Sequence, residues 1–214
     1  MTEKLSIVEA RILGALIEKQ LTTPEYYPLT LNALVAACNQ KTNREPVVFF
    51  TEEIVEKSLE GLRDRNLAYV FYGSTSRVPK YKHVLPQFYE IDEPETALIC
   101  VLLLRGAQTL GELRERTGRL YEFSGLGEVS DTLDNLAKRD EPLVIKLERQ
   151  PGQKEVRYAH LLSGEVQPPS PRISAPNNPA DNDRLTQIEQ EIETLRAELT
   201  AFRQTFEDFK KQFE

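Results

Sequence analysis

The chain has 214 residues, of which 40% are hydrophobic, 29% charged and 8% aromatic, a balance that suits one or two globular domains and neither a disordered nor a membrane protein. No run approaches the roughly 18 apolar residues of a membrane span, and the opening MTEKLSIVEARILGALIEKQ mixes charges into its apolar positions without a secretory cleavage site, so a cytoplasmic location is expected. Lys plus Arg is 27 against 34 Asp plus Glu, a net charge of −7 that repels nucleic acid and anionic membrane unless a local patch overcomes it.

In chain order, an amphipathic helix is predicted from Ser6 to about Lys19, with Ser6 and Glu9 as a capping box. A turn leads to a short helix opening at Thr30, and the polar connection Asn39 to Pro46 leads to a third helix opening at Thr51 with Leu59 and Leu62 facing inward. Alternating Leu67-Ala-Tyr69-Val-Phe71, a polar loop from Gly73 to Pro79 and a returning strand from Tyr81 to Leu85 form a hairpin. Further on, helices are predicted to start near Glu93, Thr109 and Gly127, with strands over Leu143 to Leu147 and Val156 to Leu162 joined by a loop from Arg149 to Lys154. Cys38 and Cys100 sit inside apolar helical patterns without a ligand partner at useful spacing, so they read as core residues, with no disulfide and no metal site.

The second series repeats the first. Val55, Leu59, Leu62 and Arg65 match Val129, Leu133, Leu136 and Arg139 in a V-x3-L-x2-L-x2-R pattern, and Lys80-Tyr-Lys-His-Val-Leu85 matches Arg157-Tyr-Ala-His-Leu-Leu162. Three helices followed by a hairpin, twice, is the arrangement of tandem winged helix-turn-helix domains, a mainly α fold with small β-hairpins (α+β). The expected domains are residues 1–90 and 91–163.

Residues 164–183 hold five of the thirteen prolines and almost no large apolar side chains, which makes a linker. Beyond it Leu185, Ile188, Ile192, Leu195, Leu199, Phe202, Phe206, Phe209 and Phe213 alternate steps of three and four, a heptad seam over residues 184–214. Glu191 and Glu198 take g positions and Arg196 and Arg203 e positions, so a parallel pair sets Glu against Arg whereas an antiparallel pair sets like against like. A parallel coiled-coil homodimer is expected, with the helix folding back on its own chain as the alternative.

The segments Ala37-Cys-Asn-Gln-Lys-Thr-Asn-Arg-Glu-Pro-Val47 and Leu102-Leu-Leu-Arg-Gly-Ala-Gln-Thr-Leu-Gly-Glu-Leu-Arg114, with Tyr121-Glu-Phe-Ser124 and Ser163-Gly-Glu165, resemble the YceH-like family of uncharacterised bacterial proteins. The resemblance covers about residues 1–165 and continues loosely into the tail. It implies a tandem winged-helix fold and brings no established activity, substrate or catalytic residue.

The residues offer little for catalysis, and no enzyme and no cofactor is expected. His83 and His160 occupy the same place in the two repeats, which argues for a shared packing role. Ser124-Gly-Leu-Gly127 reads as a plain turn before a helix, since a lone G-x-G lacks the rest of a phosphate loop. Gly106, Thr109 and Glu112 are explained by a helix end and a capping box, leaving Arg105 and Gln108 as possible contacts.

Candidate DNA contacts are Lys41, Asn43 and Arg44 in the connection to the third helix, Arg77, Lys80 and Lys82 in the first hairpin, and Arg149, Lys154 and Arg157 in the second. The third helices oppose base readout, because Glu52, Glu53, Glu56, Glu60 and Asp64, and then Glu128, Asp131 and Asp134, would meet phosphates at close range. Two functions follow: a dimeric regulator that contacts duplex DNA through its hairpins, or a module that docks an unidentified protein on its acidic surfaces. No membrane partner is expected.

Overall fold

The computed structural model describes residues 4–72, 78–149 and 155–164. They lie in one compact unit, Met1–Val166, and form a mainly helical α+β fold with small antiparallel sheets. All of the expected linker 164–183 except Gly164, and the heptad residues Leu185, Ile188, Ile192, Leu195, Leu199, Phe202, Phe206, Phe209 and Phe213, lie outside the described residues.

Caps fix most of the helices where the sequence places them. Helix α1 (Ile7–Thr22) opens on Ser6, whose hydroxyl accepts the Glu9 N–H while the Glu9 carboxylate accepts the Ser6 N–H at 2.7 Å. Strand β1 (Leu29–Thr30) runs directly into α2 (Leu31–Cys38), capped by the Thr30 hydroxyl, and Thr51 caps α3 (Glu52–Asp64) in the same way. Strands β2 (Ala68–Phe71) and β3 (Lys80–His83) form an antiparallel hairpin, and β1 joins the far side of β3.

The order then recurs. Helix α5 (Glu93–Arg105) opens on an Asp92/Glu95 box and α6 (Leu110–Thr117) on a Thr109/Glu112 box; α7 (Leu126–Ala137) and the hairpin β4 (Val144–Lys146) and β5 (Tyr158–His160) follow. A single bridge between Gln108 and Tyr158 stands where β1 pairs with β3 in the first half.

Several boundaries differ from the sequence reading: α1 runs on to Thr22, and β4 is one residue shorter at each end than Leu143 to Leu147. The first returning strand ends at His83, because Pro86 sits in the first turn of a short helix α4 (Leu85–Tyr89), where its fixed φ and missing N–H suit a helix start. The second returning strand is confined to Tyr158–His160, and α7 begins at Leu126, one residue early.

The sequence repeat is also a repeat of bonds. Leu67 N–H donates to the Leu62 carbonyl at 2.9 Å and Leu143 N–H to the Leu136 carbonyl at 3.0 Å, each joining a third helix to its hairpin. Arg65 donates to the Lys4 carbonyl at 3.3 Å and Arg139 to the Glu90 carbonyl at 3.4 Å, so each pins the end of a third helix beside the start of a first one. The apolar residues of the motif, Val55, Leu59 and Leu62 and then Val129, Leu133 and Leu136, are all at most 1% exposed. Burying each is worth about 1.5–3 kcal/mol.

The halves share one apolar core. Helix α1 packs on α5 at Gly14, where an added Cβ would stand 2.8 Å from the Leu104 side chain, and Cys100 Sγ lies 3.4 Å from the Gly14 carbonyl oxygen. Backbone bonds cross from one half to the other at Leu5 N–H to Leu162 (2.8 Å) and Glu45 N–H to Leu104 (2.9 Å). Cys38 and Cys100 are buried free thiols, as expected from their apolar settings; burial pushes the Cys38 thiol up to about 12 and Cys100 higher still.

Candidate nucleic-acid interface

Side chains opposite one another in an antiparallel hairpin point to the same face. In the β2–β3 hairpin the pairs Ala68/His83 and Val70/Tyr81 turn toward the core, and the pairs Tyr69/Lys82 and Phe71/Lys80 turn outward. Tyr69 and Phe71 are 44% and 43% exposed, and Tyr72 beyond them is 66% exposed. The outward face therefore sets two aromatic rings against two lysines. That combination offers cations for phosphates and flat apolar surfaces for sugars or bases.

The second hairpin lacks this surface. Exposed Ile145 pairs with Ala159, which is only 4% exposed, so a buried alanine stands where the first half has exposed Lys82. Arg149 is exposed, but Arg157 is engaged: its guanidinium donates to the Ala107 carbonyl and to Glu112, each at 2.8 Å. Glu112 in turn caps α6, and although burial alone would raise its pKa, the Thr109 N–H and the guanidiniums of Arg157 and Arg116 hold it below the usual carboxylate range. Arg157 is thus a brace between β5 and α6 and is not free for phosphate. Arg77 and Lys154 lie outside the described residues.

The connection between α2 and α3 also departs from the expectation. Lys41 is exposed, but Arg44 is only 5% exposed. Its guanidinium makes a paired contact with Glu18, at 2.6 and 3.2 Å, and donates to the Ala37 carbonyl at 2.9 and 3.1 Å. Arg44 is an interior ion-pair residue, and this corrects its place among the DNA contacts. Asn43, in the left-handed region at φ 59°, accepts a hydrogen bond from Arg105 through its side-chain oxygen. Gln108 is 1% exposed and donates to the carbonyls of Arg105 and Ala107, so it holds the turn after α5 and is unavailable as a contact. Two loops far apart in sequence thus meet at Asn43, Arg44 and Arg105.

Helix α3 carries its acids outward, whereas Glu128 of α7 is half-buried and accepts from Ser124 and Tyr121. Glu52, Glu53, Glu56, Glu60 and Asp64 are all exposed on α3. Just before that helix, Val47 and Phe49 are 57% and 85% exposed, and Ile54 in its first turn is 42% exposed.

His83 packs inward, as its repeated position suggests, and His160 is half-buried. His83 is 6% exposed, its ring meets Tyr27 edge-on at 6.1 Å, and neither ring nitrogen has a partner among the described residues. Burial pushes both His83 and His160 down to about 4, so both stay neutral at pH 7. Among the described residues no group of acids, histidines and cysteines could hold a metal ion, and no helix is long and apolar enough to cross a membrane.

Comparison with known proteins agrees with the motif resemblance. The family described as "Protein of unknown function, DUF480" matches residues 5–153. A UPF0502 protein of Opitutus terrae is 54% identical over 193 residues, covering 90% of this chain and 83% of its own. One from Pelobacter propionicus is 48% identical over 98% of both chains, and one from Geotalea uraniireducens is 46% identical over the full length of both. The chain belongs to the DUF480 or UPF0502 family of uncharacterised bacterial proteins, the family its YceH-like motifs point to.

Proposed function

We propose that this protein is a tandem winged-helix DNA-binding protein that contacts the duplex chiefly through its first hairpin. The order helix, helix, helix, hairpin, given twice, with a short strand before the second helix in the first half and a single Gln108–Tyr158 bridge at that place in the second, supports the winged-helix reading. The observation that carries the DNA reading is the outward hairpin face, with Tyr69 opposite Lys82 and Phe71 opposite Lys80. Lys80 and Lys82 neutralise phosphates, Arg77, which lies between the two strands in sequence, adds a third cation, and the rings pack on the backbone sugars. The second hairpin, where buried Ala159 stands opposite exposed Ile145, plays the lesser part. Contact of this kind reads shape and charge more than sequence, which fits the exposed acids of α3. The heptad tail pairs two copies, doubling a modest single-hairpin contact.

The test is fluorescence anisotropy of the full-length protein against a mixed-sequence duplex, started at low salt and repeated as salt rises. Micromolar binding whose affinity falls linearly on a log–log salt plot is the expected result. Absence of binding at low salt, where attraction is greatest, overturns the reading.

One observation favours a second reading, a protein-docking module. Val47, Phe49 and Ile54 make an exposed apolar strip beside the α3 acids, the composition of a small protein interface. On that reading, reversing Glu52 and Glu56 abolishes capture of a partner and leaves DNA affinity at nil.

A further inference from the structure

A cleft of about 220 Å³ opens where the two halves meet. The first half contributes Glu18 and Asn43, and the second contributes Arg105, Arg116 and Arg119. Its floor is apolar, with Val101 and Leu104 less than 5% exposed. Three arginines from the end of α5 and the end of α6 thus converge on a recess and not on an open face.

The charges there are incompletely matched. Glu18 is already taken by Arg44 beneath the cleft, at 2.6 Å. Arg116 reaches Glu112 only at 3.5 Å, and Glu112 is held more closely by Arg157 at 2.8 Å. Arg105 bonds to Asn43, a neutral amide, and the ion pairs among the described residues include neither Arg105 nor Arg119. Exposed Glu115 is the remaining acid in the lining. Partial burial, then repulsion from Arg116 and Arg44, pull the Arg105 pKa below its ordinary value, against a smaller opposing attraction from Glu18 and Glu45. The lining thus holds three guanidiniums, of which Arg116 has one loose ion pair at 3.5 Å.

We propose that this cleft is a binding site for a small organic anion carrying a carboxylate or phosphate head, held by Arg105, Arg116 and Arg119 between the two halves of the fold. Planar guanidiniums match either head group in paired hydrogen bonds, and the Val101 and Leu104 floor receives the apolar part of the molecule. The ligand bridges the halves: Arg105 is tied to Asn43, and the Asn43 segment leads directly to α3. Occupancy of the cleft therefore bears on the position of the first half relative to the second. The site stands or falls separately from DNA binding.

The experiment is isothermal titration of the full-length protein with inorganic phosphate and, separately, with succinate at constant ionic strength, paired with thermal melting under the same conditions. Arg119 is exposed, so Arg119→Gln keeps the fold; Arg105→Lys keeps the charge and loses the planar fork. The expected result is a saturable response to at least one probe, weakened about tenfold in each variant, the responding probe identifying the head group. No saturable response to either probe overturns the proposal, as does a response of equal size in Arg119→Gln, which would be general salt stabilisation.

Discussion

Arg44 Nη2 lies 2.6 Å from Glu18 Oε2 in the interior, joining the connection before α3 to the C-terminal part of α1. The arginine side chain is fully enclosed and also satisfies the Ala37 carbonyl at the end of α2. Removing one partner strands the other as a buried charge, which costs about 3–5 kcal/mol. Arg44→Ala is therefore expected to lower stability by that order in urea titration, and the double change Arg44→Met with Glu18→Leu to lose much less. Equal loss in the single and double variants would mean that the pair is not the unit of stability.

Gly14 sets the approach of α1 to α5. With Leu104 2.8 Å from the place a Cβ would occupy, Gly14→Ala forces the helices apart and is expected to cost about 1–3 kcal/mol despite the better helix propensity of alanine. A melting temperature equal to or above that of the wild type would show that α5 yields at no cost.

The two histidines make stability depend on acid in a defined sense. Their folded pKa is about 4 against 6.5 when exposed, so between those values the unfolded chain takes up protons that the fold refuses. Stability is complete above pH 6.5 and falls as pH drops toward 4, by up to about 3 kcal/mol for buried His83 and by less for half-buried His160. His83→Phe should flatten the dependence of the urea midpoint on pH between 7 and 4.5 relative to the wild type. An unchanged slope would assign the acid response to other groups.

The two components of the hairpin face separate in a salt titration. Lys80→Ala with Lys82→Ala removes two phosphate contacts and should reduce the log–log salt slope by about 2. Tyr69→Ala with Phe71→Ala should weaken binding at every salt concentration and leave the slope in place. Loss of slope in the aromatic variant would mean that the rings act only by holding the lysines.

Periodicity and caps made most of the fold legible. Ser6, Thr30, Thr51 and Thr109 cap the helices they were expected to cap, and the V-x3-L-x2-L pattern is the buried face of both third helices. Strand β1 escaped because two residues carry no period, and α4 because its only local signal, Pro86, follows a strand pattern that runs on into it. The candidate site was less legible. Arg44, Gln108 and Arg157 look like surface donors in sequence, yet Arg44 and Gln108 are interior and half-exposed Arg157 is held by Glu112; for both arginines the partner lies far along the chain. The role of Tyr69 and Phe71 was hidden for a different reason: alternation says that they share a face, and only the pairing of Ala68 with His83 and Val70 with Tyr81 says that it is the outer one. The cleft at Arg105 joins residues 62 positions apart, a separation that no local pattern reports.

The central claim is that the first hairpin carries DNA affinity, and its most direct test is the dissociation constant of Lys80→Ala/Lys82→Ala against that of the wild type on one mixed-sequence duplex at low salt, with urea midpoints to confirm that both are folded. The account predicts micromolar or tighter binding by the wild type and a loss of about tenfold or more in the variant. Equal affinity of the two folded proteins, or no binding by the wild type, would contradict it.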